Sequence, residues 1–308
     1  MRFRAISCLL LLGFALAGCR SRAPETVKID EGLAKLVPQD AVMLAGTRME
    51  EVRATTAYKL WGNDADSPAI DRFARDTGFD PRKDIRELLV ASDGEDTVFL
   101  ARGAFAPAKL EQLLAEQGAR KSTHRGQTVI NNGEWSVAFL DTTTAVAGGT
   151  LAVQSSIDRR LQGGGGIPAI LAGRMKAIPK DSQLWIVTFG LSPALARAIP
   201  ERGNMSNLRR LLSMVESASA GVDLRSGFSL NADAVGRTAE DAKFIHDAFR
   251  GLVGMGRLTV PDNEPEMLRF YDAIGITQKE RTVRVQAAVP MDVLEKLAAK
   301  MRPRASSK

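Results

Sequence analysis

A pattern that leads from a turn into a strand occurs in both halves of this 308-residue chain, and it constrains the fold more than any other feature. Residues 37–40 (Val-Pro-Gln-Asp) precede the apolar run 41–46, and residues 178–181 (Ile-Pro-Lys-Asp) precede the apolar run 184–189. In each half an aliphatic residue, a proline and an aspartate form a turn before a strand. The repetition indicates a duplicated structural unit. Chance similarity between two strand entries is the alternative.

The segments after these entries follow the same order in both halves. Residues 88–92 and 97–104 are predicted strands joined by the acidic turn 93–96, and a helix follows. In the second half an apolar segment begins at residue 216, and after a polar break comes a strand over 228–234. The next helix begins at Thr238, where Asp241 completes a capping-box pattern.

Further strand signals come from turns and alternation. Asn132-Gly133 separates two β-rich runs and predicts a tight hairpin. Residues 281–289 alternate apolar and polar side chains, which is typical of a half-buried strand. Hairpins interspersed with helices predict an α+β fold, made of two similar units of mostly antiparallel sheet covered by helices on one face.

We place the first α+β unit at residues 33–166 and the second at 167–300. The run Gly163–Gly166 lies at their boundary and predicts a helix stop and a flexible joint. A phosphate-binding loop is the alternative for this run. Such a loop needs a Lys-Ser/Thr pair or a dinucleotide spacing at the start of a helix, and Ile167-Pro168 follow here instead.

The N-terminus has the pattern of a secretory signal peptide. Arg2 and Arg4 precede the apolar run 6–17, which is shorter than the ~20 residues of a membrane-spanning helix. The next residues complete the sequence Leu16-Ala17-Gly18-Cys19, which resembles the lipobox of bacterial lipoproteins. The resemblance implies cleavage before Cys19 and attachment of a diacylglycerol to its sulfur. A plain secretory signal followed by a chance cysteine is the alternative.

This resemblance divides the N-terminus into a signal peptide, 1–18, and an acylated tether, 19–32. The other cysteine, Cys8, is removed with the signal, so the mature chain has no disulfide and depends on its core for stability. Acyl chains such as palmitate then anchor the protein to a membrane. Residue 20 is Arg and not Asp, which by the sorting rule of lipoproteins implies the periplasmic face of the outer membrane.

The net charge of +6 does not describe the folded body. Much of the excess lies at the C-terminal end, in Lys300 and the basic tail 301–308. A nucleic-acid-binding face needs a folded basic patch, so we predict no nucleic-acid partner. The tail is either solvated or in contact with anionic phospholipid.

Residues with catalytic or metal-binding chemistry are few and scattered along the chain. The candidates are His124 in the polar loop 121–126, His246 within a helix, Ser192, the acidic turn 93–96, the pair Glu50 and Glu51, and the pair Asp64 and Asp66. Two His and two Cys are too few for a multi-His or multi-Cys metal cluster. Ser192 lacks the second glycine of a nucleophile elbow and reads as a helix N-cap before Pro193. We therefore predict no catalytic, cofactor-binding or metal-binding residues.

Taken together, the chain resembles uncharacterised bacterial lipoproteins with a duplicated α+β domain. The function we predict is a membrane-anchored, non-catalytic envelope lipoprotein that acts as a protein-interaction or scaffold module. A periplasmic carrier of a small molecule or lipid is the first alternative, and an enzyme with an unrecognised site is the second. The apolar helix predicted over 205–215 either presents a partner or membrane face or packs on its sheet. The expected partners are the membrane and an envelope protein, and the oligomeric state stays open.

Overall fold

A computed structural model of the chain describes residues 26–61, 67–190 and 205–301. Several sequence predictions concern residues outside these ranges: the signal peptide 1–18, Cys19, Asp64, Asp66, Ser192 and the tail from residue 302. None of the described helices is both long and apolar enough to span a membrane.

Twelve strands form a single sheet within the described residues. They are β1 (Met43–Arg48), β2 (Ile85–Ser92), β3 (Thr97–Gly103), β4 (Arg120–His124), β5 (Gln127–Asn131), β6 (Ser136–Phe139), β7 (Thr144–Gly148), β8 (Leu184–Phe189), β9 (Val215–Asp223), β10 (Gly227–Gly236), β11 (Ile274–Lys279) and β12 (Thr282–Pro290).

Helices connect these strands and cover the sheet. Those in the described ranges are α1 (Glu31–Ala34), α2 (Met49–Ala54), α3 (Thr56–Trp61), α4 (Pro68–Thr77), α5 (Pro81–Asp84), α6 (Pro107–Glu116), α7 (Thr150–Gln162), α8 (Ala169–Met175), α9 (Met205–Ser213), α10 (Ala239–Leu258), α11 (Pro265–Asp272) and α12 (Met291–Met301). The predicted capping box is present at the start of α10, where Thr238 and Asp241 exchange hydrogen bonds.

The strand order is β4-β5-β6-β7-β3-β2-β1-β8-β9-β10-β12-β11, and every neighbouring pair is antiparallel. The predicted α+β class with mostly antiparallel pairing is confirmed. The sequence reading did not foresee that the two halves share one sheet. They join where β1 pairs with β8, with Ala45 opposite Ile186.

The strand order is the same on both sides of this seam. Counting outward, β1-β2-β3-β7 on one side matches β8-β9-β10-β12 on the other, since in each half the last strand returns beside the third. The matching order agrees with a duplication, which stays a prediction together with the boundary at residues 166 and 167. The helix that follows the last strand packs on opposite faces of the sheet in the two halves: α7 in the first half and α12 in the second.

The two faces of the sheet are covered differently. We call the face of Leu44, Leu89 and Leu100 the front and the face of Ala45 and Val90 the back. In the first half, α1, α7 and α8 bury the front face around these leucines in the largest core cluster. The predicted cover on one face is therefore too simple here, because α6 also packs on the back face of this half.

In the second half, α8 covers the front face beside the seam, and the other described helices pack on the back face. Ile245 of α10 packs with Val283 of β12, and α12 packs with the end of the same strand through Val293. The front face of this half carries polar cross-strand pairs instead. The Arg284 guanidinium binds Asp233 at 2.7 and 2.9 Å. Such pairs are typical of a sheet face in contact with solvent.

Glycines permit two close approaches in the front core. Trp185 of β8 lies over Gly46 of β1, and a Cβ atom at position 46 would lie 2.4 Å from the indole ring. Gly163 ends α7 in the left-handed conformation, which confirms the predicted helix stop. Gly165 packs against α1, since a Cβ there would lie 1.6 Å from the carbonyl oxygen of Lys35. The glycine run therefore also has a packing role, which the sequence reading missed.

Candidate functional site

The long helix α10 exposes a row of large apolar side chains to solvent. Phe244, Leu252, Met255 and Leu258 are 48%, 53%, 60% and 86% exposed, respectively. We call these four residues the α10 ridge. Several exposed large apolar side chains on one element mark an interaction site more often than scattered single residues do.

The ridge extends the apolar surface of α10 beyond the part that is buried. Ala242 and Ile245 are buried against the sheet with Phe249 packed beside them. At 100° per residue the four ridge residues fall within a sector of about 120° that borders the buried face, with Leu252 only about 20° from Ile245. A surface helix normally presents polar residues on the side away from the core. Packing within the described part of the chain therefore does not account for the ridge.

Charged groups border the ridge. The Arg210 guanidinium of α9 lies 5.9 Å from the centre of the Phe244 ring, at cation–π distance. Lys243 pairs with Asp247 at 3.2 Å, and Arg257 pairs with Asp272 at 2.7 Å. An apolar centre with a polar border is the composition of a protein–protein interface.

The sequence reading had considered α9 as a partner face. In the structure Leu211 of α9 is buried and packs with Ile245, which supports packing on the sheet for this part of the helix. The predicted helix is also shorter than expected, because α9 ends at Ser213 and Val215 already belongs to β9. The exposed apolar side chains of the α10 ridge were not singled out in the sequence, although they lie within one helix.

The two histidines lie in different halves of the chain, His124 in a strand and His246 in a helix. His124 is in β4, an edge strand, and was wrongly placed in a loop because the sequence of β4 is polar throughout and shows no alternation. Its Nε2 lies 2.9 Å from Asp158 of α7. His246 lies within α10, as predicted, and its Nδ1 is 2.9 Å from Asp247. These hydrogen bonds lower the pKa of each aspartate.

The acidic candidates have local structural partners. Asp93 accepts backbone hydrogen bonds from Glu95 and Asp96 at 2.9 and 2.8 Å, as in an ordinary turn. Glu51 pairs with Arg48 at 2.8 Å. Among the described residues no group of three His, Cys, Asp or Glu has the arrangement of a metal site. The structure therefore does not bring the described candidate residues together into one site.

One titratable residue was missed by the sequence reading. Glu87 of β2 lies in register between Arg48 and Arg102 on the front face. It accepts a hydrogen bond of 3.0 Å from the backbone of Asp30. Burial raises its pKa, because the charged form is disfavoured away from water. Long-range strand pairing creates this environment, so no local sequence signal marks it.

Two clefts open on the front of the first half. The smaller, about 140 Å³, lies beside the acidic turn and is lined by Asp40, Asp93 and Arg159, among others. The larger, about 220 Å³, lies between α1 and the end of α7. Both are smaller than the ~300–1,000 Å³ of typical small-molecule pockets.

The fold defines the chain as an α+β protein with one continuous antiparallel sheet, and solved structures share this arrangement. Two crystal forms of TP0453 match with TM-scores of 0.55 and 0.52. Each is 10% identical and covers 88% of this chain, and the match covers 97% and 96% of the TP0453 chains. This likeness shows the fold alone. No protein-family model matches the chain, and no curated protein matches it.

Proposed function

We propose that this protein is a lipid-anchored lipoprotein of the bacterial cell envelope that acts without catalysis, as an interaction or scaffold module. The observation that carries the proposal is the α10 ridge. Burying its four side chains against a partner would remove a large apolar surface from water, at roughly 25 cal/mol per Å². The partner we propose is an envelope protein that presents an apolar groove to the ridge.

The anchor follows from the lipobox-like sequence at Cys19. Val27 and Leu33 are buried in the front core, so the packed body of the protein includes residues from Val27 onward. The segment between Cys19 and residue 26 spans at most about 25 Å when extended. The folded body is then held close to the membrane surface, and Arg20 favours the periplasmic face of the outer membrane.

The alternatives have less support in the described residues. A lipid carrier needs a cavity that encloses acyl chains, and neither of the two front clefts, about 140 and 220 Å³, is large enough for them. An enzyme needs a nucleophile or base within reach of its partner groups. The two histidine–aspartate pairs instead lie at separate places, and each aspartate also pairs with a basic side chain, Arg125 or Lys243.

The ridge is tested by photo-crosslinking in intact cells, with a photoreactive amino acid at Lys243. Replacing Met255 and Leu258 with Glu should abolish the crosslinked species, because a partner groove would have to bury two charges. Leu151→Glu with Leu161→Glu on α7 is the matched control, since these residues are also apolar and exposed. Equal crosslinking in the ridge variant and the control would contradict the proposal, provided circular dichroism shows both folded.

A further inference from the structure

Four basic side chains converge on the larger front cleft. It lies between the end of α1 and the end of α7 and is lined by Lys35, Arg102, Arg159 and Arg160, with Asp141 as its acidic member. We call it the basic cleft. Its volume of about 220 Å³ suits a compact polar group rather than a whole lipid.

Two of these cations are matched by carboxylates and two are not. Arg102 pairs with Asp30 at 2.9 Å, and Arg160 pairs with Asp141 at 2.8 Å. Burial opposes the charge of Asp141, but hydrogen bonds from Arg160 and Thr143 hold its pKa well below the usual value. Within the described chain, Lys35 and Arg159 have no carboxylate within ion-pair distance. The basic cleft therefore has an excess of positive charge.

The Arg159 side chain is fixed in place before any ligand binds. Its Nε donates to the carbonyl oxygen of Leu36 at 3.0 Å, and its Nη2 donates to the Ser156 hydroxyl at 2.9 Å. A guanidinium has five N–H donors, so others stay available to a ligand. Burial lowers the pKa of Arg159, and the nearby carboxylates of Asp40, Asp158 and Asp93 offset this effect only in part. A fixed cation of this kind loses little conformational entropy on binding.

Glycines shape the walls of the basic cleft. A Cβ atom at Gly32 would lie 2.1 Å from Nη2 of Arg102, so only glycine leaves room for this guanidinium. Gly165 allows the chain after α7 to pack on the carbonyl of Lys35. The cleft is thus bounded by packed backbone on both sides, and its cations are held at fixed positions.

We infer that the basic cleft binds a phosphate-type anion. Guanidinium groups form paired hydrogen bonds with phosphate oxygens, and a lysine adds a point charge. The anion belongs either to a soluble phosphate compound or to the headgroup of an anionic phospholipid. The lipid source rests on the proposed anchor, because α1 directly follows the tether and the cleft then lies near the membrane. The soluble source does not depend on the anchor.

The test measures hydrogen–deuterium exchange of the mature full-length chain. One arm adds inorganic phosphate to the protein in a zwitterionic detergent. The other arm places the protein in vesicles of phosphatidylcholine with or without phosphatidylglycerol. Slower exchange at residues 32–36 and 156–166, at least twofold, is expected with phosphate, with phosphatidylglycerol, or with both. Protection by phosphate alone assigns a soluble ligand, and protection by phosphatidylglycerol alone assigns a headgroup.

Variants separate specific binding from general charge effects. Lys35→Gln and Arg159→Gln should each weaken the apparent affinity at least tenfold. Lys35 is exposed, so its variant keeps the test valid if Arg159→Gln unfolds. Lys279→Gln removes the same charge from β11 at the opposite end of the sheet and should change nothing. No protection by either ligand, or equal protection in Lys35→Gln and Lys279→Gln, would overturn the inference. Crosslinking at the α10 ridge should persist in Lys35→Gln, so the two proposals fail separately.

Discussion

The contact between Trp185 and Gly46 gives a quantitative test of the seam between the two halves. Trp185 is buried on β8 and lies across the backbone of Gly46 on β1. Trp185→Ala removes a large buried side chain and should lower the free energy of unfolding by about 3–5 kcal/mol. Gly46→Ala alone should cost about 1–3 kcal/mol, because its Cβ, 2.4 Å from the ring, forces the indole to move.

In the double variant, the effect of Gly46→Ala on the free energy of unfolding should change sign. Once the indole is absent, Gly46→Ala meets no clash and removes the entropic cost of glycine in a strand, so it should stabilise by about 0.5–1 kcal/mol. The two changes should therefore be coupled by about 1.5–4 kcal/mol, at or above the upper part of the range of about 0.5–3 kcal/mol for residues in contact.

Equilibrium unfolding in urea, followed by far-ultraviolet circular dichroism at 25 °C, measures all four proteins of this cycle. Coupling near zero, with Gly46→Ala costing the same in both backgrounds, would refute the packing described for the seam. The control is Gly173→Ala on α8, where no atom lies within 4 Å of the added Cβ.

Three further predictions concern the anchor, an acid-sensitive pair and the histidines. Cys19→Ala should leave the protein soluble or unprocessed, and mass spectrometry of the mature N-terminus checks this; an unmodified chain starting beyond residue 19 would contradict the anchor. The Arg225 hydrogen bond holds the pKa of Asp223 at about 2, below its usual 3.8, so the pair stabilises above about pH 4 and less as pH falls towards 2. Asp223→Asn should lower the free energy of unfolding by about 1 kcal/mol at pH 7. The variant should also reduce the change of the urea midpoint between pH 4 and pH 2, and an unchanged pH dependence would contradict the role of the pair. His124→Ala and His246→Ala should leave the phenotype of the folded protein intact, and its loss would favour an enzyme.

Local signals were sufficient for much of the fold. The capping box at Thr238 and the alternation over 281–289 lie within single elements, so they could be read without knowledge of the rest of the chain. The strand β4 was missed because its polar sequence lacks alternation. The pairing of β1 with β8 could not be predicted either, since it joins strands far apart in sequence and depends on which sheet edges are left open.

The candidate surfaces differ in how far the sequence reveals them. The α10 ridge lies within one helix, but helical spacing places it beside the buried face, so the sequence does not separate the exposed residues from the buried ones. The basic cleft gathers Lys35, Arg102 and Arg159 from α1, β3 and α7. Tertiary packing alone brings these residues together, and each of them looks like an ordinary surface cation in the sequence.

The seam also has a consequence for how each half would behave alone. Without its neighbour, β1 or β8 would be an edge strand with a row of unpaired backbone donors and acceptors, and Leu44 and Val187 would lose much of their cover. Edge strands of this kind recruit other strands. A separately expressed half should therefore associate with its own copy through that strand in the antiparallel sense. In the described chain the other half of the same polypeptide supplies that pairing strand.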